Sequence, residues 1–453
     1  MNVGVIGGAG YVGLVTGLGL AEIGHKVTNV DIDQKNIRQL ENGEPSIYEE
    51  GLKAILQRNL NTGNIRFSSD IASAVKGCQV IFIAVGTPSS DEGEADLTQV
   101  VQVTEAMASS LDTYSLIVIK STVPVGTVDL LRSILCRNKQ EGKDFDIVAN
   151  PEFLSEGNGL TDFFYPDRIV IGTSSEKAKE IMRSLYDPIV KRQVSWLQNE
   201  PISSMTSAVP VIYTDLNSAQ MIKYASNAFL ATRISFINEI AEMCESLDAN
   251  CKEVAQGMGY DSRIGHEYLN AGLGFGGPCL EKDLKALINI AKSNGVSTQL
   301  LQATLERNEK QIALVITKLK QVLGNRLDNK NVAIFGLAFK SGTNDVRNSL
   351  ALRVIDQLLA EGVLLHAHDP VAISSFQHLQ AYDSDVVLYN DPYEAVKHVD
   401  ALLILTDWPT FPELDYARIK SFMATPVIID ARNMLESETL RSLGYTYYGV
   451  GQR

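Results

Sequence analysis

Residues 2–31 read NVGVIGGAGYVGLVTGLGLAEIGHKVTNVD, and that succession of patterns admits few folds. A β-branched run leads into Gly8-x-Gly10-x-x-Gly13, an apolar helical stretch ends near Gly24, and a second β-branched run ends at Asp31, 18 residues past Gly13. Alone, a G-x-G-x-x-G is weak evidence. Preceded by a strand, opening a helix and followed by a strand with a terminal acid, it is the dinucleotide-binding fingerprint. The glycines allow a tight turn and let a pyrophosphate approach the helix N-terminus. Asp31 is expected to bond ribose hydroxyls and to repel a 2′-phosphate, which selects NAD over NADP.

The same alternation continues in QVIFIAVG, SLIVIKST, FDIVANP and DRIVIG, so the first part of the chain is expected to be a parallel α/β sheet. VGTP (Val85–Pro88) and KSTVPVGT (Lys120–Thr127) follow strands at the carboxyl edge, where ligands bind in such sheets. LQNEPISSMTSAVP is polar and proline-marked and reads as a boundary. From Asp215, over 30 residues pass without Gly or Pro, which predicts one long helix. Met221, Ile222, Phe229, Ile234, Ile237 and Met243 spread around more of that helix than one core stripe needs, so a dimer partner is expected. After LGNRLDNK, strand-like runs resume in NVAIFGLAF, GVLLHAHDP, DALLILTDW and PVIIDARN. The expected fold class is α/β, two Rossmann-like parallel-sheet domains joined by a long central helix, with segments 1–212, 213–323 and 324–453.

Four glycines crowd into AGLGFGGPC before a stretch with helical pattern. Pro278 is placed to open that helix, which would set the Cys279 thiol at an N-terminus where a thiolate is favoured. Lys282 and Asp283 follow at the spacing that returns to the same face. A nucleophilic cysteine beside a hydride acceptor suggests aldehyde oxidation, because a thiohemiacetal can lose hydride and leave a thioester.

Composition narrows the partners. A formal charge of -14 argues against general nucleic-acid or anionic-membrane binding, so an anionic ligand needs a local basic pocket. No apolar run approaches a membrane span and no basic leader precedes the first strand, so a cytoplasmic protein is expected. The five cysteines lack C-x-x-C spacing, which fits reduced thiols. His366 and His368 share a strand face but have no nearby third ligand apart from Asp369, so no metal is expected.

With GAGYVG, NPEFLSEG, SAQMIKYASNAFLATRISFINEIA, GFGGPCLEKD and FGLAFKSGTNDVRNS in this order, the chain resembles the UDP-glucose/GDP-mannose dehydrogenase family over almost its full length. The resemblance implies an NAD domain, a helical dimerising segment and a UDP-sugar domain. It implies that C6 of a nucleotide sugar passes from alcohol to acid, two NAD are reduced, and the intermediate is held on cysteine as thiohemiacetal and thioester. The motifs read closest to the branch that converts UDP-glucose to UDP-glucuronate. GDP-mannose, a UDP-N-acetylhexosamine, a two-electron 2-hydroxyacid dehydrogenase and a non-catalytic NAD-binding protein remain as alternatives. Carried over by position, Cys279 resembles the nucleophile, Asp283 its water-ordering partner, Lys223 and Asn227 the KYASN pair, Glu152 an acid of the thioester chemistry, and Thr122 a water-holding threonine. Substrate contacts are implied for Glu156, Phe153, Leu154, Arg263, Tyr268, Gly276, Phe339, Lys340 and Arg432. For the cofactor they are implied at Gly8, Gly10, Tyr11, Val12, Gly13, Asp31, Thr87, Pro88, Ser121, Thr122, Glu156 and Arg347, with Lys35 or Asn36 in the place of the basic residue after the acid. Pro278, Glu281 and Gln220 depart from the usual pattern.

Overall fold

A computed structural model describes residues 1–90, 93–194, 208–382 and 385–452. The chain forms two compact bodies, Met1–Ser226 and Asn227–Arg453. A single helix, Leu216–Leu247, carries the chain from one into the other. Its sequence explains its length, since no Gly or Pro interrupts the hydrogen-bond ladder. LQNEPISSMTSAVP lies for the most part outside the described residues.

Among the described residues the first body is built on eight strands: β1 (Asn2–Ile6), β2 (Lys26–Val30), β3 (Ile65–Ser68), β4 (Val80–Ile83), β5 (Ser115–Ile119), β6 (Phe145–Ala149), β7 (Ile169–Gly172) and β8 (Val211–Thr214). Their order is β3-β2-β1-β4-β5-β6-β7-β8. The first six have the doubly wound order of dinucleotide-binding sheets. β4, β5 and β6 are buried along their whole length, as expected where helices cover both faces of a parallel sheet. DRIVIG corrects the expectation of a wholly parallel sheet, because β7 runs antiparallel to β6. Only the Ala149–Gly172 pair joins them, and β8 then pairs parallel to β7.

The second body holds β9 (Asn331–Phe335), β10 (Leu364–His368), β11 (Val386–Leu388), β12 (Ala401–Ile404), β13 (Val427–Asp430) and β14 (Thr446–Tyr448). They are all parallel, in the order β11-β10-β9-β12-β13-β14. The strand order of the first six strands of the N-terminal sheet is thereby repeated. Ile312, Val315 and Leu319 of the helix Gln299–Leu323 pack into this core with Phe335, Val354 and Ile404.

On the long helix, Ile237 is buried, whereas Met221, Phe229, Phe236, Met243 and Leu247 are exposed. Phe229, Phe236 and Met243 recur every seven residues and so share one face. Among the described residues no helix is long and apolar enough to cross a membrane.

Candidate functional site

In the first body the turn after β1 is a cradle that a side chain would fill. A Cβ on Gly13 would lie 2.1 Å from the Gly7 carbonyl oxygen, so the helix Tyr11–Glu22 can start this close to the strand only with glycine there. Asp31 follows β2, and its Oδ2 accepts the Ala9 N–H at 3.1 Å, which holds the carboxylate over the turn. Oδ1 takes the Asp33 N–H at 3.1 Å. Lys35 and Asn36 open the next helix, their N–H groups capped by Asp33. At the ends of β4 and β5, Thr87 donates to the Thr122 carbonyl at 2.8 Å and Ser121 to the Val85 carbonyl at 2.7 Å. Those bonds set Thr87, Pro88, Ser121 and Thr122 on the carboxyl edge beside the cradle's strand, and an open backbone with a clamped acid fits a dinucleotide.

Tyr11 goes elsewhere than the cradle. Its hydroxyl donates to Glu49, accepts from the Gly159 N–H at 3.0 Å and stands 3.1 Å from the Ser155 carbonyl oxygen. Glu49 also accepts the Leu160 N–H at 2.6 Å. Burial and the Glu49 carboxylate push the Tyr11 phenol far above its ordinary range. The tyrosine thus ties the glycine turn to NPEFLSEG.

That loop carries Glu152 to Lys223, with Nζ–Oε1 at 2.9 Å and both side chains nearly inaccessible, 5% and 6% exposed. Burial opposes the Glu152 charge most strongly, but the Lys223 ammonium, the Leu154 N–H and the Lys120 charge together outweigh it and the carboxyl stays below its usual range. The Leu154 N–H completes its bonding at 2.5 Å. Phe153 stacks under Arg168 at 3.7 Å, with Lys223 Nζ 5.5 Å from its ring centre. Lys120 belongs to the same buried cluster. Its amine is pulled down to about 8 by burial and by Lys223, against the attraction of Glu152. Asn150 Oδ1 takes bonds from Lys120 at 3.3 Å and from the Tyr186 hydroxyl at 2.8 Å. Thr122, Lys223 and Gln220 line one small cavity of about 10 Å³. Gln220 is buried there with neither amide atom hydrogen bonded to protein. Glu156, half-buried in the loop, adds its charge to the field at Tyr11.

In the second body Cys279 is the N-cap of the helix Leu280–Ser293, so Pro278 precedes the helix and does not open it. The thiol is half-buried, and the Asp283 N–H returns to the Cys279 carbonyl at 2.9 Å. Asp283 is buried; it accepts from Asn227 Nδ2 at 2.6 Å and from Lys282 Nζ at 2.6 Å. Lys223 and Asn227 stand one turn apart on the long helix.

The glycine loop is pinned at both flanks. Leu273 N–H meets the Ala431 carbonyl at 2.7 Å, Arg432 Nη1 meets the Gly274 carbonyl at 3.3 Å, and Arg432 Nε meets the Leu405 carbonyl at 2.7 Å. Gly277 has φ +83°, and a Cβ there would lie 2.5 Å from the Phe339 ring. A Cβ on Gly276 would lie 2.7 Å from the Asn348 carbonyl oxygen. Cys279, Gly276, Phe339 and Arg432 are therefore gathered around one loop, with Lys340 next in chain. Arg263 is not: it is highly exposed and forks onto Asp261, at 2.6 and 3.0 Å. Tyr268 is 40% exposed in a left-handed conformation, φ +61°. Arg347 also forks onto a neighbour, Asp345. The histidines make ring contacts: His366 stacks on Tyr389, and His368 bonds the Tyr389 carbonyl at 2.9 Å.

Sequence reasoning missed Glu49, Lys120 and Asn348. Lys120 left a signal, a cation closing the apolar run LIVI and so bound to be buried and partnered. Glu49 and Asn348 left none, since Tyr11 and Leu160 for the first, Gly277 and Glu281 for the second, lie far away in the chain.

Models of the UDP-glucose/GDP-mannose dehydrogenase family match this chain in order, the NAD binding domain over residues 1–190, the central domain over 217–310 and the UDP binding domain over 333–437. UDP-glucose 6-dehydrogenase TuaD of Bacillus subtilis is 44% identical over 445 residues, 98% of this chain and 92% of the relative. A UDP-glucose 6-dehydrogenase of Pseudomonas aeruginosa is 38% identical over 452 residues, 98% of this chain and 96% of the relative. Among solved structures, a UDP-glucose dehydrogenase from the hyperthermophilic archaeon Pyrobaculum islandicum superposes with a TM-score of 0.88 at 34% identity, covering 100% of this chain and 98% of that one.

Proposed function

The chain belongs to the UDP-glucose/GDP-mannose dehydrogenase family and is an NAD-dependent oxidoreductase, and on that premise we propose that it oxidises UDP-glucose at C6 to UDP-glucuronate. One observation carries the chemistry: the chain combines a dinucleotide cradle with a half-buried thiol at a helix start, one turn before a buried aspartate. The full-length likeness to relatives named for UDP-glucose favours that sugar.

Bound NAD would accept a hydride from C6 in each of two oxidations. The chain's own groups divide the remainder. Lys223 offers positive charge to the C6 oxygen as negative charge develops there, and Glu152 holds that lysine in place. The Cys279 sulfur adds to the aldehyde carbon as its proton reaches the aldehyde oxygen; loss of the second hydride, with the hydroxyl proton passing to water, leaves a thioester. Water then adds to the thioester carbon, the thiol departs, and a proton from the water passes to a nearby base. Asp283, oriented by Asn227, is assigned that role. Thr122 is assigned to hold water, a role supported by the buried Gln220 amide, unbonded to protein, in the small cavity they share. Arg432 and Lys340 are assigned to the nucleotide diphosphate, the local cations that an anionic substrate needs on an acidic chain; Arg263 would have to leave Asp261 to join them. The divisions 1–212, 213–323 and 324–453 are kept as cofactor, dimerising and nucleotide-sugar segments.

Measuring NADH formed per sugar consumed with UDP-glucose, GDP-mannose and UDP-N-acetylglucosamine tests this. Two NADH per UDP-glucose, with much slower turnover of the others, is expected. One NADH per sugar, or preference for another sugar, refutes the assignment.

Cofactor choice is tested at Asp31. Asp31→Asn keeps an oxygen for the Ala9 N–H but removes the charge that the ribose hydroxyls meet. KM for NAD is expected to rise about 10- to 100-fold, the worth of a charge-assisted bond, while the preference over NADP narrows. Equal turnover of native protein with both cofactors would contradict the role.

The exposed stripe of Phe229, Phe236 and Met243 supports a homodimer formed by a second copy of the chain. Sedimentation at assay concentration is expected to show a dimer, and Phe236→Glu a shift toward monomer. A fully active native monomer would overturn this. Free thiols and dependence on NAD support a cytoplasmic setting.

A further inference from the structure

Glu281 lies two residues past Cys279, in the first turn of its helix, and is only 5% exposed. A carboxylate so enclosed is costly unless several donors hold it. Lys285 reaches Oε1 at 2.8 Å. Arg353 Nη2 reaches Oε2 at 2.6 Å, and Asn348 Nδ2 reaches the same oxygen at 3.0 Å. Burial works against the Glu281 charge, but these donors and the Arg353 charge prevail and keep the carboxyl below its ordinary range. Arg353 is itself fixed at its other end by Glu309 at 2.6 Å.

Asn348 passes this anchorage to the loop before the thiol. Its Oδ1 accepts from Arg353 at 2.8 Å, and its Nδ2 is shared between Glu281 and the Gly277 carbonyl at 3.1 Å. Its own carbonyl accepts the Gly277 N–H at 3.0 Å. Both polar backbone atoms of Gly277 are thus held by one residue, and the Phe339 ring closes the side where a Cβ would stand. Only Pro278, Cys279 and Leu280 separate the pinned Gly277 from the pinned Glu281.

We propose that Glu281 is a positioning residue for Cys279, fixing through Asn348 and Gly277 the short backbone span that aims the thiol. The proposal rests on the reading of Cys279 as nucleophile. Glu281 itself touches no reacting atom in that reading. Loosening the span lowers the share of thiols in attack geometry, which reduces turnover more than substrate binding.

Glu281→Ala is expected to lower kcat about tenfold or more while KM for NAD and for the sugar nucleotide stays within about twofold. Glu281→Gln keeps an acceptor for Asn348 and Arg353, so it is expected to recover most of the lost kcat. Should the alanine variant fold poorly, Asn348→Gly serves in its place. Asn348 has φ +50°, which glycine adopts freely, and glycine keeps the carbonyl that holds Gly277. It removes only the side-chain amide and is expected to reproduce the kcat loss. Iodoacetamide labelling, read by mass spectrometry as the rate at Cys279 against exposed Cys136, is expected to change about threefold or more in both variants. Native kcat in Glu281→Ala or Asn348→Gly, a loss confined to KM, or an unchanged labelling ratio overturns the positioning role. Failure of the parent reading is separate: a cysteine-free variant that still makes acid at the native rate refutes the nucleophile, whereas the labelling ratio reports the brace without turnover.

Discussion

Cys279→Ser is expected to lower four-electron turnover by about 10³-fold or more, the scale on which covalent enzymes lose rate when the nucleophile is removed. A hydroxyl is a weaker nucleophile than a thiolate at neutral pH, and an oxygen ester loses its alkoxide less readily than a thioester loses its thiolate. Aldehyde-level product or a slowly hydrolysed enzyme ester should accumulate, detectable by intact-mass spectrometry after mixing with UDP-glucose and NAD. Cys279→Ala should still bind the sugar nucleotide, because the anionic contacts are assigned to Arg432 and Lys340 and not to the thiol. Acid production by the alanine variant near the native rate, with two NADH per sugar, would show that the thiol is not the nucleophile.

The second large effect is expected at Lys223. Lys223→Met should lower kcat by about 10²- to 10³-fold, the range for removing a donor to a developing oxyanion. Taken alone that result is ambiguous, because the substitution also leaves Glu152 buried and without its 2.9 Å partner. Breaking a buried pair from one side costs about 3–5 kcal/mol, and the neighbouring Lys120 should hold the cost toward the lower end. The double variant Lys223→Met/Glu152→Gln separates the causes. Urea denaturation should show stability largely recovered in the double variant, since the pair is then removed from both sides and the remaining Lys120 keeps its bond to Asn150. Its kcat should stay low. Recovery of kcat together with stability would make Lys223 a structural partner of Glu152 and would remove it from the chemistry.

Against these expectations, the parts that could be read beforehand share one property: they are local. Glycine spacing, the acid ending β2, and the Gly- and Pro-free run of the long helix each act within a few turns of chain. Interior strands were legible for the same reason. VIFI is apolar throughout, and SLIVI after its first residue, because both faces are covered. β3, β8, β11 and β14 passed unnoticed. Each stands at or beside a sheet edge, is three or four residues long and is partly exposed, so its sequence carries little periodicity. The reversal of β7 also left no mark, because strand direction is a property of the pairing and not of the run IVIG itself.

At the candidate site the division falls in the same place. The sequence by itself determined the dinucleotide turn, the acid that accompanies it, the helical register of Lys223 with Asn227, and the closeness of Cys279 to Asp283, because backbone geometry sets neighbours one turn apart. Tertiary structure alone decided which charges face each other. Glu152 meets Lys223 across 71 residues of chain and Asn348 meets Glu281 across 67. Tyr11 turned from the cradle toward Glu49 for a related reason: a buried hydroxyl goes where an acceptor is, and the acceptor came from another element. The glycines of GFGGPC show both halves of the matter. Their spacing announced a crowded loop, but only packing revealed that Asn348 and Phe339 do the crowding, since steric exclusion depends on what the rest of the chain brings within a Cβ's reach.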